Sequence, residues 1–309
     1  MTEQTAGVEL LKDARLRSSR QVAITATLLD SNDNPTTPLD GVTGGAVEFS
    51  ATTTLRGSGT LNVADRGQPI TWLNSRIKLA YTIIGVGQWP LGVWLLASPT
   101  MQHTQTGNTW QVGLLSKLTV LDQDCLPQAY STPAGTNVTD LAQKLIEEAG
   151  ENRIICEHST KTLPAGMVWQ AGTSRLKIIN DLLDTINYWA VWVDTAGYYR
   201  IEPYQQPQQR PSMFTLQPGP GAVHEPQWDS DQDLASSPNR VIITGQERTD
   251  GGQPLVAVAE NHDPSSPLSY ENRGRWITRI EQAADATDQT TLNAQATRCL
   301  LYTSPSPRD

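Results

Sequence analysis

The sequence predicts a β-rich α+β protein: two β-barrel or sandwich-like domains separated by a small α+β insert. Three observations carry this. Short segments of alternating apolar residues fall in two blocks, one before residue 125 and one after residue 205, and apolar residues at helical spacing concentrate between them. The 309 residues also include 23 Gly and 20 Pro, with nine Trp and eight Tyr against two Phe, a composition suited to many strands joined by turns. A chain of this length accommodates two or three domains.

Residues 1–19 read as an N-terminal arm with a short helix around Val8 to Ala14. The first β domain is expected over 20–125. "RQVAITATLLD" places Val22, Ile24, Ala26 and Leu28 on one face, and "DSNDNPTTPLDG" ends it with turn residues. "AVEFSATTTLRGSGTLNV" is broken by Gly57 and Gly59 into a hairpin or bulged pair. "SRIKLAYTIIG", "WPLGVWLLASP" and "TWQVGLLSKLTVLD" supply further strands to about Leu121. Five or more short strands suggest closure, which hides sheet edges.

The α+β insert is expected over 126–204. "GTNVTDLAQKLIEEAG" aligns Val138, Leu141, Leu145 and Ile146 on one helical face, with Asn137 and Asp140 at capping-box spacing and Gly150 as a stop. A second helix opens at Thr173 and repeats the pattern through Leu176, Ile179, Leu183 and Ile186. "WAVWVDTAGYYRIEPY" then reads as a β-hairpin turning over Asp194 to Gly197. Residues 205–298 comprise a Pro/Gln/Gly-rich linker and a second, truncated β domain, with strands in "NRVIITGQE", "PLVAVAEN" and "RWITRIEQA" and a helix begun at Asp288.

Net charge is −9, which argues against a partner that needs a basic face, such as nucleic acid bound non-specifically or an anionic membrane. No apolar run approaches the roughly 20 residues of a membrane-spanning helix, and the polar N-terminus lacks a signal pattern, so the chain is expected to stay where it is made. Cys125 and Cys156 are expected to be buried small hydrophobes.

Catalytic signatures are few. The histidines His103, His158, His224 and His262 lack metal-ligand spacing, and "CEH" at 156–158 offers only two ligands. "DSNDN" has the oxygen-rich look of a calcium loop, but Pro35 and Gly41 stand where an EF-hand needs Gly and an acid; a solvated turn is preferred. "GVTGG" and "RGSGT" precede no helix that could hold a phosphate. A glycosidase would need paired carboxylates; Glu202, Asp229, Asp231 and Asp233 lie near Tyr204 and Trp228, though spacing cannot give their separation. No catalytic, cofactor-binding or metal residue is assigned. Trp189, Trp192 and Trp228 are the candidate surface for a partner or a glycan, with Trp189 and Trp192 pointing to opposite faces of their strand.

Taken in order, "LDGVTGGAVEFSATTTLRGSGTLNV", "WPLGVWLLASP", "LLSKLTVLDQD", "AGTSRLKIINDLLDTINYWAVWVDTAGYYRIEPY", "DQDLASSPNRVIITG" and "AENHDPSSPLSYENRGRW" resemble the minor tail proteins of long-tailed bacteriophages, particularly those of actinobacterial hosts. The resemblance spans about Val8 to Arg298. More distantly, the arrangement is similar to tail-tip and baseplate hub proteins, in which two related β-barrels pack side by side in a ring, usually of three chains. It implies a structural virion protein, made in the host cytoplasm and residing in the tail, that contacts itself as a homotrimer and other tail proteins. It implies no cofactor, no catalytic residue and no membrane insertion. Genomic DNA would pass through such a ring without specific binding, and an acidic chain suits that. The competing expectation is a tail protein that binds host-surface carbohydrate or degrades the cell wall.

The last eleven residues, "CLLYTSPSPRD", can be written in one reading frame as a transposase-based sequencing adapter. Residues 299–309 are therefore expected to be adapter-derived, with the natural sequence departing at or near Arg298.

Overall fold

The computed structural model describes residues 21–105, 107–206, 209–212, 227, 236–245, 253–282, 286 and 288–303. The first unit is a seven-stranded antiparallel sheet: β1 (Val22–Leu29), β2 (Pro35–Pro38), β3 (Val42–Phe49), β4 (Gly57–Ala64), β5 (Arg76–Ile83), β6 (Gly87–Thr104) and β7 (Gly107–Ser116). Their order is β2-β1-β5-β6-β7-β4-β3. The 18-residue β6 shifts register against β5 beside Leu79 and against β7 between Ala97 and Thr100, and such bulges bend a strand. The sheet therefore curls, so that Ala26 and Leu28 of β1 share one core with Leu61 and Val63 of β4, together with Ile77, Leu79, Trp94 and Leu114.

The curl stops short of the closed barrel that the strand count suggests. Among the described residues the edge strands β2 and β3 do not pair with each other. The cause is local: β2 is four residues long with Pro35 and Pro38 at its ends, and proline has no N–H to donate to a ladder.

A second difference lies at the end of β7. Instead of continuing to Leu121, the strand ends at Ser116 and helix α1 (Leu118–Gln123) begins. Leu118 and Leu121 leave the sheet and enter the core of the α+β unit. That unit contains β8 (Tyr130–Thr132), α2 (Val138–Glu148), β9 (Ile154–Cys156), β10 (Met167–Trp169), α3 (Arg175–Asp184), β11 (Trp192–Val193) and β12 (Tyr199–Ile201). The Asn137 side chain caps α2 by accepting from Asp140 N–H at 3.0 Å, and Ser174 caps α3 by accepting from Lys177 N–H at 3.3 Å. Both helices bury one apolar stripe, Val138, Leu141, Leu145 and Ile146 from α2 and Leu176, Ile179, Leu182 and Leu183 from α3.

The third unit is a mixed sheet. β13 (Arg240–Thr244) lies between antiparallel β14 (Val256–Glu260) and parallel β15 (Thr278–Gln282), with the short helix α4 (Tyr270–Arg273) between β14 and β15 in sequence. Helix α5 (Gln289–Thr303) covers one face, where Val241, Ile243, Ala257 and Ala259 meet Leu292, Ala296 and Leu300. It thus runs beyond Arg298 and draws Leu300 into that core.

Candidate assembly surfaces and the charged junction behind them

The first sheet and the α+β unit meet around a cluster of buried charges. The turn after β1 was expected to be solvated, and Asp30 conforms: its carboxylate accepts from the backbone N–H groups of Asn32 and Asn34, both at 2.8 Å, and these bonds, led by Asn34, hold it below the usual carboxylate range. Asp33 does the opposite. Its backbone takes the left-handed conformation, φ 63°, and its side chain turns inward to 2% exposure. There it meets Arg76 from β5 at 2.9 Å and Lys117 from the β7–α1 corner at 2.5 Å. Glu151, just after α2, completes the set. Arg76 donates to both of its oxygens, at 2.5 and 3.2 Å, and Lys117 lies 3.0 Å away.

Neighbouring groups fix this cluster from both sides. Lys117 Nζ, fully buried, also donates to the Gly197 carbonyl at 3.0 Å and lies 4.8 Å from the centre of the Tyr199 ring. The Tyr199 hydroxyl donates to the Lys117 carbonyl at 2.8 Å, and Arg153 donates to the Asp33 carbonyl at 2.7 Å. Burial works against the Arg76 charge, but the hydrogen bonds and charges of Glu151 and Asp33 outweigh it and raise its pKa. Burial, then the Glu151 charge, push the Tyr199 phenol well above its ordinary value. The Gly197 turn sits so close to β6 that a Cβ there would lie 2.7 Å from Val93 Cγ2.

Outside this junction the molecule offers open edges and apolar surface. β3 is an eight-residue edge strand that carries Gly44, Gly45 and exposed Phe49. In the third unit, Ile242 pairs with Val258 on one side and Ile280 on the other. They lie on the face opposite α5, where Val256, Val258 and Ile280 are 49%, 53% and 65% exposed. At one end of that sheet Arg240 lies 3.9 Å above the Trp276 ring and donates to Glu260 at 2.8 Å, while Tyr270 stacks on Trp276 at 4.5 Å. An apolar centre bordered by Trp, Tyr and Arg is the composition of protein-protein contact surfaces.

Of the three tryptophans singled out from sequence, Trp228 lies outside the described residues, as do Asp229, Asp231, Asp233 and His224. Trp189 and Trp192 are half-buried. Trp189 packs on Tyr204 at 4.6 Å with Arg210 at 5.1 Å, and Trp192 faces Arg200 at 5.9 Å. They belong to separate cation-aromatic contacts. Glu202, a candidate acid, is paired with Arg200. Cys156 is half-buried, and burial pushes its thiol up to about 11, but Cys125 is exposed, contrary to expectation, because it follows the end of α1 beside the Asp122 carbonyl. Among the described residues no group of three His, Cys, Asp or Glu is placed to hold a metal ion, and no helix is long and apolar enough to cross a membrane.

The sequence matches no protein-family model and no curated protein. Solved structures do match in fold. The tail protein from Neisseria meningitidis superimposes over 90% of this chain and 76% of its own with a TM-score of 0.56 at 13% identity. The fold is shared with that tail protein. A 43 kDa tail protein of prophage MuSo2 from Shewanella oneidensis agrees, with a TM-score of 0.51 at 10% identity over 90% of this chain and 79% of that one. With nine-tenths of the chain covered, the similarity is not confined to one unit. The charged junction sits at the seam between the chain's first two units.

Proposed function

We propose that the chain is a structural component of a phage tail tip, a hub-like protein that forms part of the distal ring as a homotrimer and contacts neighbouring tail proteins. The observation that carries this is the fold shared with tail proteins over nine-tenths of the chain. The surfaces support it. Among the described residues, the eight-residue β3 pairs on one side alone and an apolar sheet face in the third unit is left uncovered, and these supply contacts between subunits without specialised chemistry. The role is non-enzymatic. The net charge of −9 suits a channel that DNA traverses without being retained.

Light scattering on the purified chain tests the ring. A threefold mass is expected, and the substitution Val258→Glu on the exposed sheet face should lower it while leaving the circular dichroism unchanged. A monomer at high protein concentration would overturn the reading.

A further inference from the structure

We propose that Lys117 and Asp33 are joined by an intramolecular amide bond, formed without an added enzyme inside the buried junction. Five observations converge on this pair. Lys117 is fully buried with its amine against two carboxylates, Asp33 at 2.5 Å and Glu151 at 3.0 Å. Asp33 takes a left-handed turn conformation, φ 63°, that turns its side chain inward to 2% exposure. Its backbone is anchored there by Arg153. Arg76 donates to Asp33 Oδ1 at 2.9 Å, opposite the oxygen that faces the lysine. The Tyr199 ring and Gly197 close over the amine.

These groups have the roles that condensation requires. Glu151 takes a proton from the Lys117 ammonium and passes it to Asp33 Oδ2, leaving a neutral amine beside a carboxylic acid. Lys117 Nζ adds to Asp33 Cγ, and Arg76 stabilises the negative charge that develops on Oδ1. Glu151 carries a second proton from the nitrogen to Oδ2, the Cγ–Oδ2 bond breaks, and water leaves. An ammonium and a carboxylate become an amide and one water, so no oxidant, reductant or co-reactant is needed. Amide formation is unfavourable between free groups in water, but held groups reach effective molarities on the order of 10⁵ M or more. The product also removes two charges whose burial is costly, leaving Arg76 and Glu151 as a matched bidentate pair. The bond would tie the β1–β2 turn to the corner where the first sheet becomes the α+β unit.

The mass of the intact, denatured full chain decides the matter. The expected result is a mass lower than the sequence requires by one water, with a branched proteolytic peptide that joins the segments containing Asp33 and Lys117. A mass equal to that of the sequence, with both segments recovered as linear peptides, would overturn the proposal and leave an ion-pair network. Lys117→Met should restore the full mass. Glu151→Gln keeps the side-chain shape but cannot relay protons, so folded protein of that variant should also have the full mass; a mass still short by one water in it would remove Glu151 from the mechanism. The wild-type measurement stands even if either variant fails to fold.

Discussion

The α+β unit is held at two seams by the same kinds of residue in opposite environments. Toward the first sheet, Asp33, Lys117 and Glu151 are each no more than 3% exposed at the side chain and Arg76 is 10% exposed. Toward the third unit, Arg298 of α5 donates to the Asp184 carboxylate at 2.8 Å, buried Gln295 donates to the Asp184 carbonyl at 2.6 Å, and Asp288, just before α5, lies 3.3 Å from Lys161 of the insert. There Asp184 and Asp288 are each 46% exposed. Water and salt screen the ion pairs of the second seam and are largely excluded from those of the first. The first seam should therefore behave as part of a core and the second as a detachable contact.

Removing one partner from the buried seam is the strongest way to test that contrast. Glu151→Ala leaves Arg76 without its bidentate acceptor in a site that water cannot reach, and such losses cost about 3–5 kcal/mol. Chemical denaturation should show it, with little dependence on salt. A loss below about 1 kcal/mol would mean that the site rehydrates, as an exposed pair does.

The same seam can be tested sterically. Gly197 has φ 91°, and its missing Cβ leaves room for Val93. Gly197→Ala adds both backbone strain and a 2.7 Å clash, and overpacking of this kind costs about 1–3 kcal/mol. Retention of full stability would show that the hairpin turn moves freely against β6.

How much of this could be read beforehand depended on whether the signal was local. Helix α2 was legible because its cap and its stripe lie within one stretch: Asn137 bonds to Asp140, and Leu141, Leu145 and Ile146 are spaced to share a face. The turn of the β11–β12 hairpin was legible for the same reason, since Asp194 carries its own turn bonds to Ala196 and Tyr198. The end of β7 was not. "LLSKLTVLD" is an apolar run short enough to suit either strand or helix, and the choice was made by where Leu118 and Leu121 could be buried. Nor was the charged junction, because Asp33, Arg76, Lys117 and Glu151 each occupy a position where a charged residue ordinarily faces solvent. Their pairing is a property of the tertiary structure. The only local hint was the density of turn formers after β1, which also describes a solvated loop.

At the exposed seam a much smaller effect is expected. Arg298→Ala removes the Asp184 pair and a cation-π contact with Tyr204 at 5.4 Å, and should cost about 1 kcal/mol or less, shrinking further as salt is added. A cost equal to that of Glu151→Ala would erase the distinction between the seams.

The smallest effect sharpens the comparison at a surface site, where the His262 side chain is 54% exposed. His262 presents Nδ1 to Glu271 at 2.8 Å and Nε2 to Glu260 at 3.2 Å. A neutral imidazole has one N–H and could satisfy only one carboxylate, whereas the imidazolium donates to both. The hydrogen bonds that Glu271 first, and then Glu260, accept from the ring raise the His262 pKa above 6.5. A group whose pKa rises on folding contributes stability that is complete below the unfolded value and is lost as pH rises through the folded one. The contribution should therefore fade above about pH 6.5, in the range where His262 itself titrates. Histidine NMR titration checks this: His262 should titrate higher than an unpaired histidine, and Glu271→Gln should bring it down. An unchanged His262 midpoint in that variant would mean that solvent, rather than the two carboxylates, sets its charge.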